Sequence, residues 1–222
     1  MTIQHSIRIA ALLALGTLAS TAQALTWSSS TGDVLIQGGT LTLTTAYLDG
    51  AEDQPFNVSG HSASDIALLE SQAGVAAYAL DRSPSQYGTE GSLAGLQLNV
   101  AAHQTVSFRW TFSTQETLFE DHAFAVIGGQ VFTLATRSRP GVALQTFSHS
   151  FDQAGSYTLA VGVIDTVDVL GVSSLAVQDL QVSSIPEPAT GWLALAGGLM
   201  LALKLAAAAP GRARAPRRTR RG

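Results

Sequence analysis

Five carboxylates fall into two short stretches that could hold a cation: Glu116, Glu120 and Asp121 in the first, Asp165 and Asp168 in the second. Calcium is a hard ion that gathers about six to eight oxygens from carboxylates, carbonyls and water, and loops between strands supply them readily. Neither stretch has the spacing of a helix-loop-helix calcium loop. Both are candidate calcium sites, with ordinary solvated turns as the alternative. Paired carboxylates also serve glycoside hydrolysis, and Glu116 with Glu120 is such a pair, but spacing along a loop does not fix a separation across a cleft.

Other catalytic chemistry finds no footing. The chain has no Gly-x-Ser-x-Gly elbow, no Ser-x-x-Lys, no His-Glu-x-x-His and no phosphate loop. His61, His103, His122 and His149 stand singly, and His149 alternates with Phe147 and Phe151, which reads as a core histidine rather than a base. Cysteine is absent, so disulfides, thiolate metal sites and cysteine nucleophiles are excluded. The expectation is a protein without catalytic activity. The alternative is a secreted, glycosidase-like hydrolase.

The elements that must position these residues are strands. Val106, Phe108, Trp110 and Phe112 share one face, with Ser107, Arg109 and Thr111 on the other. Tyr157, Leu159, Val161 and Val163 repeat the period of two, as do Leu96, Leu98 and Val100. Further strands are expected at Leu41–Ala46, Val75–Leu80, Phe124–Ile127, Gln130–Ala135, Leu144–Phe151 and Leu175–Val182. Gly128-Gly129 is a two-residue hairpin signal, and Asp152 to Gly155 reads as a turn. A short helix is expected over Ser64–Gln72, capped by Ser64 or Asp65 and stopped by Gly74. Asp179 interrupts a strand, so it either marks a bulge or reaches a partner in a neighbouring loop. Many short strands without long helices between them predict a mainly antiparallel β-sandwich or jelly roll over residues 25–183. Its core should hold Phe108, Trp110, Tyr157, Leu159, Val161 and Leu175.

Charge separates this middle from the ends. Between Leu25 and Ile185 there are four arginines, no lysine and 15 acidic residues, a formal charge of −11. Such a surface repels phosphate backbones, so nucleic acid is excluded as a partner. Residues 1–24 combine Arg8, a short apolar run and Ala22-Gln23-Ala24, the pattern of a secretory signal peptide cut by signal peptidase. At the other end, residues 184–222 contain a hinge (185–188), an apolar-rich stretch (189–209) with Lys204 as its one charge, and a basic tail (210–222). The 21 apolar-rich positions suffice for one helix across the inner membrane. Arg212, Arg214, Arg217, Arg218, Arg220 and Arg221 predict a cytoplasmic end.

Pro186-Glu187-Pro188, followed by an apolar helix and terminal arginines, resembles the PEP-CTERM sorting signal of Gram-negative bacteria. The resemblance covers residues 185–222 and implies that a membrane-embedded exosortase removes the tail and releases the protein to the cell surface or an extracellular matrix. Lys204 and the long, dispersed basic end depart from the pattern. The same tail occurs on some proteins named for ice binding, but Thr40-Leu41-Thr42-Leu43-Thr44 is a single threonine row without a repeat. Residues 105–182 resemble the lectin-like β-sandwich ectodomains of PEP-CTERM proteins, through Val106 to Phe112, Glu120 to Val126, Gly155 to Leu159 and Ser174 to Leu180. That resemblance supports the fold more than any activity; the expected function is an exported surface or matrix protein, with calcium in the acidic loops or a face for extracellular polysaccharide on the sandwich. Where those ectodomains have an Asn-Asp or Asp-Asp pair, this chain has Glu120-Asp121 followed by His122.

Overall fold

The computed structural model describes residues 25–50, 53–141, 143–184, 197–200 and 204. The signal peptide, the Pro186-Glu187-Pro188 motif, most of the expected membrane span and the arginines of the tail lie outside the described residues. The chain divides into two units, Met1–Ser184 and Ile185–Gly222. In the second, residues 197–200 and 204 are helical. Among the described residues no helix is long and apolar enough to cross a membrane.

In the first unit the alternating segments become strands: β1 (Ser29–Thr31), β2 (Asp33–Gln37), β3 (Thr40–Thr44), β4 (Ser64–Asp65), β5 (Gly88–Val100) and β6 (Gln104–Thr114). They continue through β7 (His122–Ile127), β8 (Gln130–Thr136), β9 (Gln145–Ser150), β10 (Gly155–Thr166) and β11 (Ser173–Ser184). One sheet has the order β1-β5-β10-β7-β8, with β4 added to β5, and the other β2-β3-β11-β6-β9. Every pairing is antiparallel. The facing sets β3-β11-β6-β9 and β5-β10-β7-β8 are the two four-stranded sheets of a jelly roll. The expected β-sandwich is therefore present. Gly128 and Gly129 both have positive φ, the requirement of the tight turn joining β7 to β8.

One residue parity on each strand builds the space between the sheets. Leu96, Leu98 and Val100 of β5, Phe108, Trp110 and Phe112 of β6, Leu159, Val161 and Val163 of β10, and Leu175 of β11 are all buried there. Tyr157 is only half-buried at the rim. His149 packs edge-on against Phe132 and Phe151, as its alternation indicated. Phe108 is 1% exposed and stacks on Phe147 with ring centroids 4.9 Å apart. Replacing Phe108 with alanine should lower stability by about 3–5 kcal/mol. Urea unfolding followed by tryptophan fluorescence measures it, and a loss below about 1 kcal/mol would contradict the packing.

The opposite parity of the first sheet is buried as well, which alternation alone does not explain. Helix α1 (Ile66–Ala73) covers it, placing Leu69 and Ala73 on Leu93, Phe124, Val126, Ala160 and Ile164. Asp65 caps the helix through the amide of Ala67 at 2.8 Å, and Gly74 ends it in the left-handed region. The strand expected at Val75–Leu80 is corrected here: these residues form turns. Their amides bond locally, Val75 to the Glu70 carbonyl at 3.1 Å and Ala79 to that of Ala76 at 3.1 Å, while Leu80 drops into the small core. A local helix end and its burial outcompete the pleated arrangement.

Asp179 is both things its position suggested, with one change. It has positive φ inside a β-bulge between Gln178 and Gln181, and its carboxylate pairs with Arg109. That partner lies on the adjacent strand β6, not in a loop. Both side chains are about half exposed, so the pair adds little stability.

Candidate metal centre

The apolar core stops at one end of the sandwich. There the inward positions become Glu90, Ser92, Asp121, Asp165 and Ser173, all buried. Inward parity explains the change: Glu90 continues the row of Leu98, Leu96 and Ala94, Asp165 that of Val161 and Val163, and Asp121 precedes Ala123 and Ala125.

Glu116, Asp121 and Asp165 meet here, with one carboxylate oxygen from each lying within 4.8 Å of the others. The first comes from the loop joining β6 to β7, the second from the residue before β7, and the third from the last turn of β10. The two acidic stretches thus form one cluster. Each side chain is held. Glu116 accepts hydrogen bonds from the amides of Thr117, Leu118 and Phe119 through a single oxygen, which leaves the other free. Asp121 accepts from the Thr166 amide at 3.1 Å and the Ser173 hydroxyl at 2.6 Å. Asp165 accepts from the Thr166 amide at 2.8 Å. Gly171, with positive φ, lets the loop after β10 lie against Glu116; a Cβ there would stand 3.1 Å from the Glu116 nitrogen.

The other two expected ligands are turned away. Glu120 points outward to Arg137 at 3.0 Å and to the Ser138 hydroxyl at 2.8 Å. Its neighbour Asp121 faces in, so strand parity forces Glu120 out. Asp168 accepts from the Leu170 amide at 3.1 Å within its own loop, while its carbonyl takes the Thr89 hydroxyl at 2.8 Å.

Glu90 is a fourth acid close enough for its charge to act on Asp165, outside the three that converge, and the acidic stretches did not include it. It is 3% exposed, and its Oε1 has no hydrogen-bond partner. The signal that finds it is the same parity, counted backward from Leu96, which the run Gly88-Thr-Glu-Gly-Ser-Leu-Ala obscures.

Without a counter-ion these groups resist ionisation. Burial pushes the Glu90 carboxyl up to about 7, opposed by a hydrogen bond from Thr89 and helped by the charges of Asp121, Asp53 and Asp168. Burial also raises Asp121 and, more strongly, Asp165, where the Asp121 charge alongside adds to it. Asp165 keeps its proton and shares it with Asp121. A divalent cation reverses this logic, since it favours all the charged forms at once.

His122 follows Asp121 in sequence but faces the opposite side of the sheet. Burial first, then the charge of Arg82, pushes its imidazole down to about 4. It stays neutral and forms no acid–base pair with the carboxylates.

No family model matches this chain, and no curated protein matches it. Two solved chains do. One, described as "CBM4 structure and function", aligns with 47% of this chain and 87% of its own length, at 12% identity and a TM-score of 0.28. At that similarity nothing about ligand or activity transfers, and the sandwich assignment rests on the strand pairing.

Proposed function

We propose that this chain is an exported, non-catalytic surface or matrix protein whose β-sandwich is tied together at one end by calcium. The observation carrying the calcium reading is the convergence of Glu116, Asp121 and Asp165 beside the unpartnered Oε1 of Glu90. The donors are all oxygen. Their spread fits two bonds of roughly 2.3–2.6 Å across one ion. Glu116, Asp121 and Asp165 would hold the cation, and carbonyls, water or the nearby Glu90 would complete its shell.

The cation's role is structural, because Asp121 and Asp165 are 0% and 1% exposed and no substrate reaches them. The same burial weighs against the secreted glycosidase, which needs two carboxyls flanking a bond in an open cleft. Carbohydrate binding as a function of the sandwich is part of the proposal. An exposed aromatic row would have been its simplest signature. Among the described residues the exposed aromatics, Phe56, Tyr78 and Tyr87, lie in loops or turns.

Export and sorting rest on the sequence of the two ends. Signal peptidase removes residues 1–24, residues 189–209 hold the chain in the inner membrane, and exosortase acts at Pro186-Glu187-Pro188. Mass spectrometry of the protein recovered from cell-surface and extracellular fractions tests this directly. The expected species begins near Leu25 and lacks Trp192. Recovery of a species that still carries the terminal arginines would make this a plain membrane-anchored protein.

A further inference from the structure

Only four arginines occur in the acidic folded unit, and three of them gather at one sheet edge. Strand β8 is that edge. A bulge opposite Ala123 and Phe124 adds one residue, Leu134, to β8. Beside it runs a groove of about 510 Å³, with Leu134 and Ala135 among its lining residues and Arg82 and Arg139 bringing donors to it. Bulges at sheet edges re-aim side chains in this way.

The donors differ in their freedom. Arg137 is committed: its Nε donates to the Phe119 carbonyl at 2.7 Å and its Nη2 to Glu120. It thereby neutralises the one carboxylate lining the groove. Arg82 spends one nitrogen on the Thr133 hydroxyl at 2.8 Å, and its remaining donors have no partner among the described residues. Arg139 is exposed and pairs with no carboxylate among the described residues. Two exposed guanidinium groups therefore stand on one groove of a surface that is otherwise strongly negative.

We propose that this groove binds a carboxylate-bearing sugar unit of an acidic polysaccharide. The guanidinium fork matches a planar carboxylate with two parallel hydrogen bonds, the Thr133 hydroxyl, which accepts from Arg82, keeps its proton for a sugar oxygen, and Leu134 offers an apolar patch to a ring face. Nucleic acid fits less well. Among the described residues the groove's lining includes no aromatic side chain on which a base could stack. The inference rests on the reading of the sandwich as an extracellular binding module and names its ligand class.

The test is titration of a fluorescent trigalacturonate into the full-length chain in mild detergent, beside a neutral trigalactose and a single-stranded oligonucleotide. The acidic sugar should bind at least about tenfold tighter than the neutral one, as expected for hydrogen bonds to a charged group. The Arg82→Gln/Arg139→Gln double variant should lose that margin with an unchanged melting temperature. Arg109→Gln, on the other sheet, should keep it. Equal binding of acidic and neutral sugars, or a double variant that binds as the parent does, would overturn the proposal. An oligonucleotide showing the same arginine dependence would replace it with a nucleic-acid site. None of these results alters the mass of the surface-recovered protein, so the sorting reading stands or falls separately.

Discussion

In saturating calcium the folded unit melts about 5–10 °C higher than in chelator, and Asp165→Asn abolishes the difference. A ligand that binds only the native state at 100 times its Kd adds about 2.7 kcal/mol. For a unit of this size each kcal/mol moves the midpoint by roughly 2–4 °C. Asp165→Asn removes one ligand and its charge but keeps the shape of the protonated acid. In chelator at pH 8 the variant should therefore melt above the parent, because asparagine has no proton to release on unfolding. Loss of calcium response together with a gain of calcium-free stability distinguishes a cation site from a packing position. Superimposable parent curves with and without calcium would return these carboxylates to the status of buried, proton-sharing acids.

The same groups set a pH dependence of known sign. Glu90, Asp121 and Asp165 are all raised in the folded state, so the native protein binds protons that the unfolded chain has released. Their contribution to stability is full below the ordinary carboxylate pKa, about 4, and falls as pH rises through the folded values, about 7 for Glu90 and higher for Asp165. Thermal melts in chelator should show the midpoint dropping across that window. Calcium should flatten or reverse the slope, since it binds the ionised carboxylates and binds better as they lose protons. A chelated protein whose midpoint rises from pH 5 to pH 8 would contradict the burial of these acids.

Replacing Pro186, Glu187 and Pro188 with three alanines should leave the protein in the inner membrane at its full post-signal length. Two prolines around a glutamate hold an extended backbone just outside the expected helix, where a membrane enzyme can reach it. Alanines let the helix run on toward Ser184 and remove the recognition group, yet the anchor and its arginines remain. The arginines act differently. Each charged residue resists the membrane interior by about 2.5–3.5 kcal/mol, so their exchange for glutamine should blur orientation and lower the yield of correctly inserted precursor. Cell fractionation with immunoblotting separates the outcomes. Normal surface delivery of the alanine variant would remove the sorting role from the motif.

What the sequence determined is what depends on neighbours within a few residues. A period of two identifies β6, β10 and β11 because strand geometry places every second side chain on the same face. The hairpin at Gly128-Gly129 and the caps of α1 are equally local, which is why Asp65 and Gly74 stand where their types suggest. Hydropathy and charge at the two ends need no fold to be read. Val75–Leu80 misled because six apolar residues follow a helix stop, yet only Leu80 and part of Val75 pack beside α1, while Ala76, Ala77 and Tyr78 are exposed.

Only the tertiary structure decided which acids meet. Asp165 lies near Glu90 because β10 pairs with β5 in the register Ile164 to Gly91, and Asp121 meets Asp165 because β7 lies against β10 with His122 opposite Ile164. These pairings join residues far apart in the chain, and no local spacing encodes them. Within each stretch, parity then sorts the carboxylates, turning Asp121 and Asp165 inward and Glu120 outward. Loop composition showed oxygen ligands in the right regions. The burial that separates a cation site from a solvated turn, and the arginines drawn together beside β8, exist only once two sheets have closed on each other.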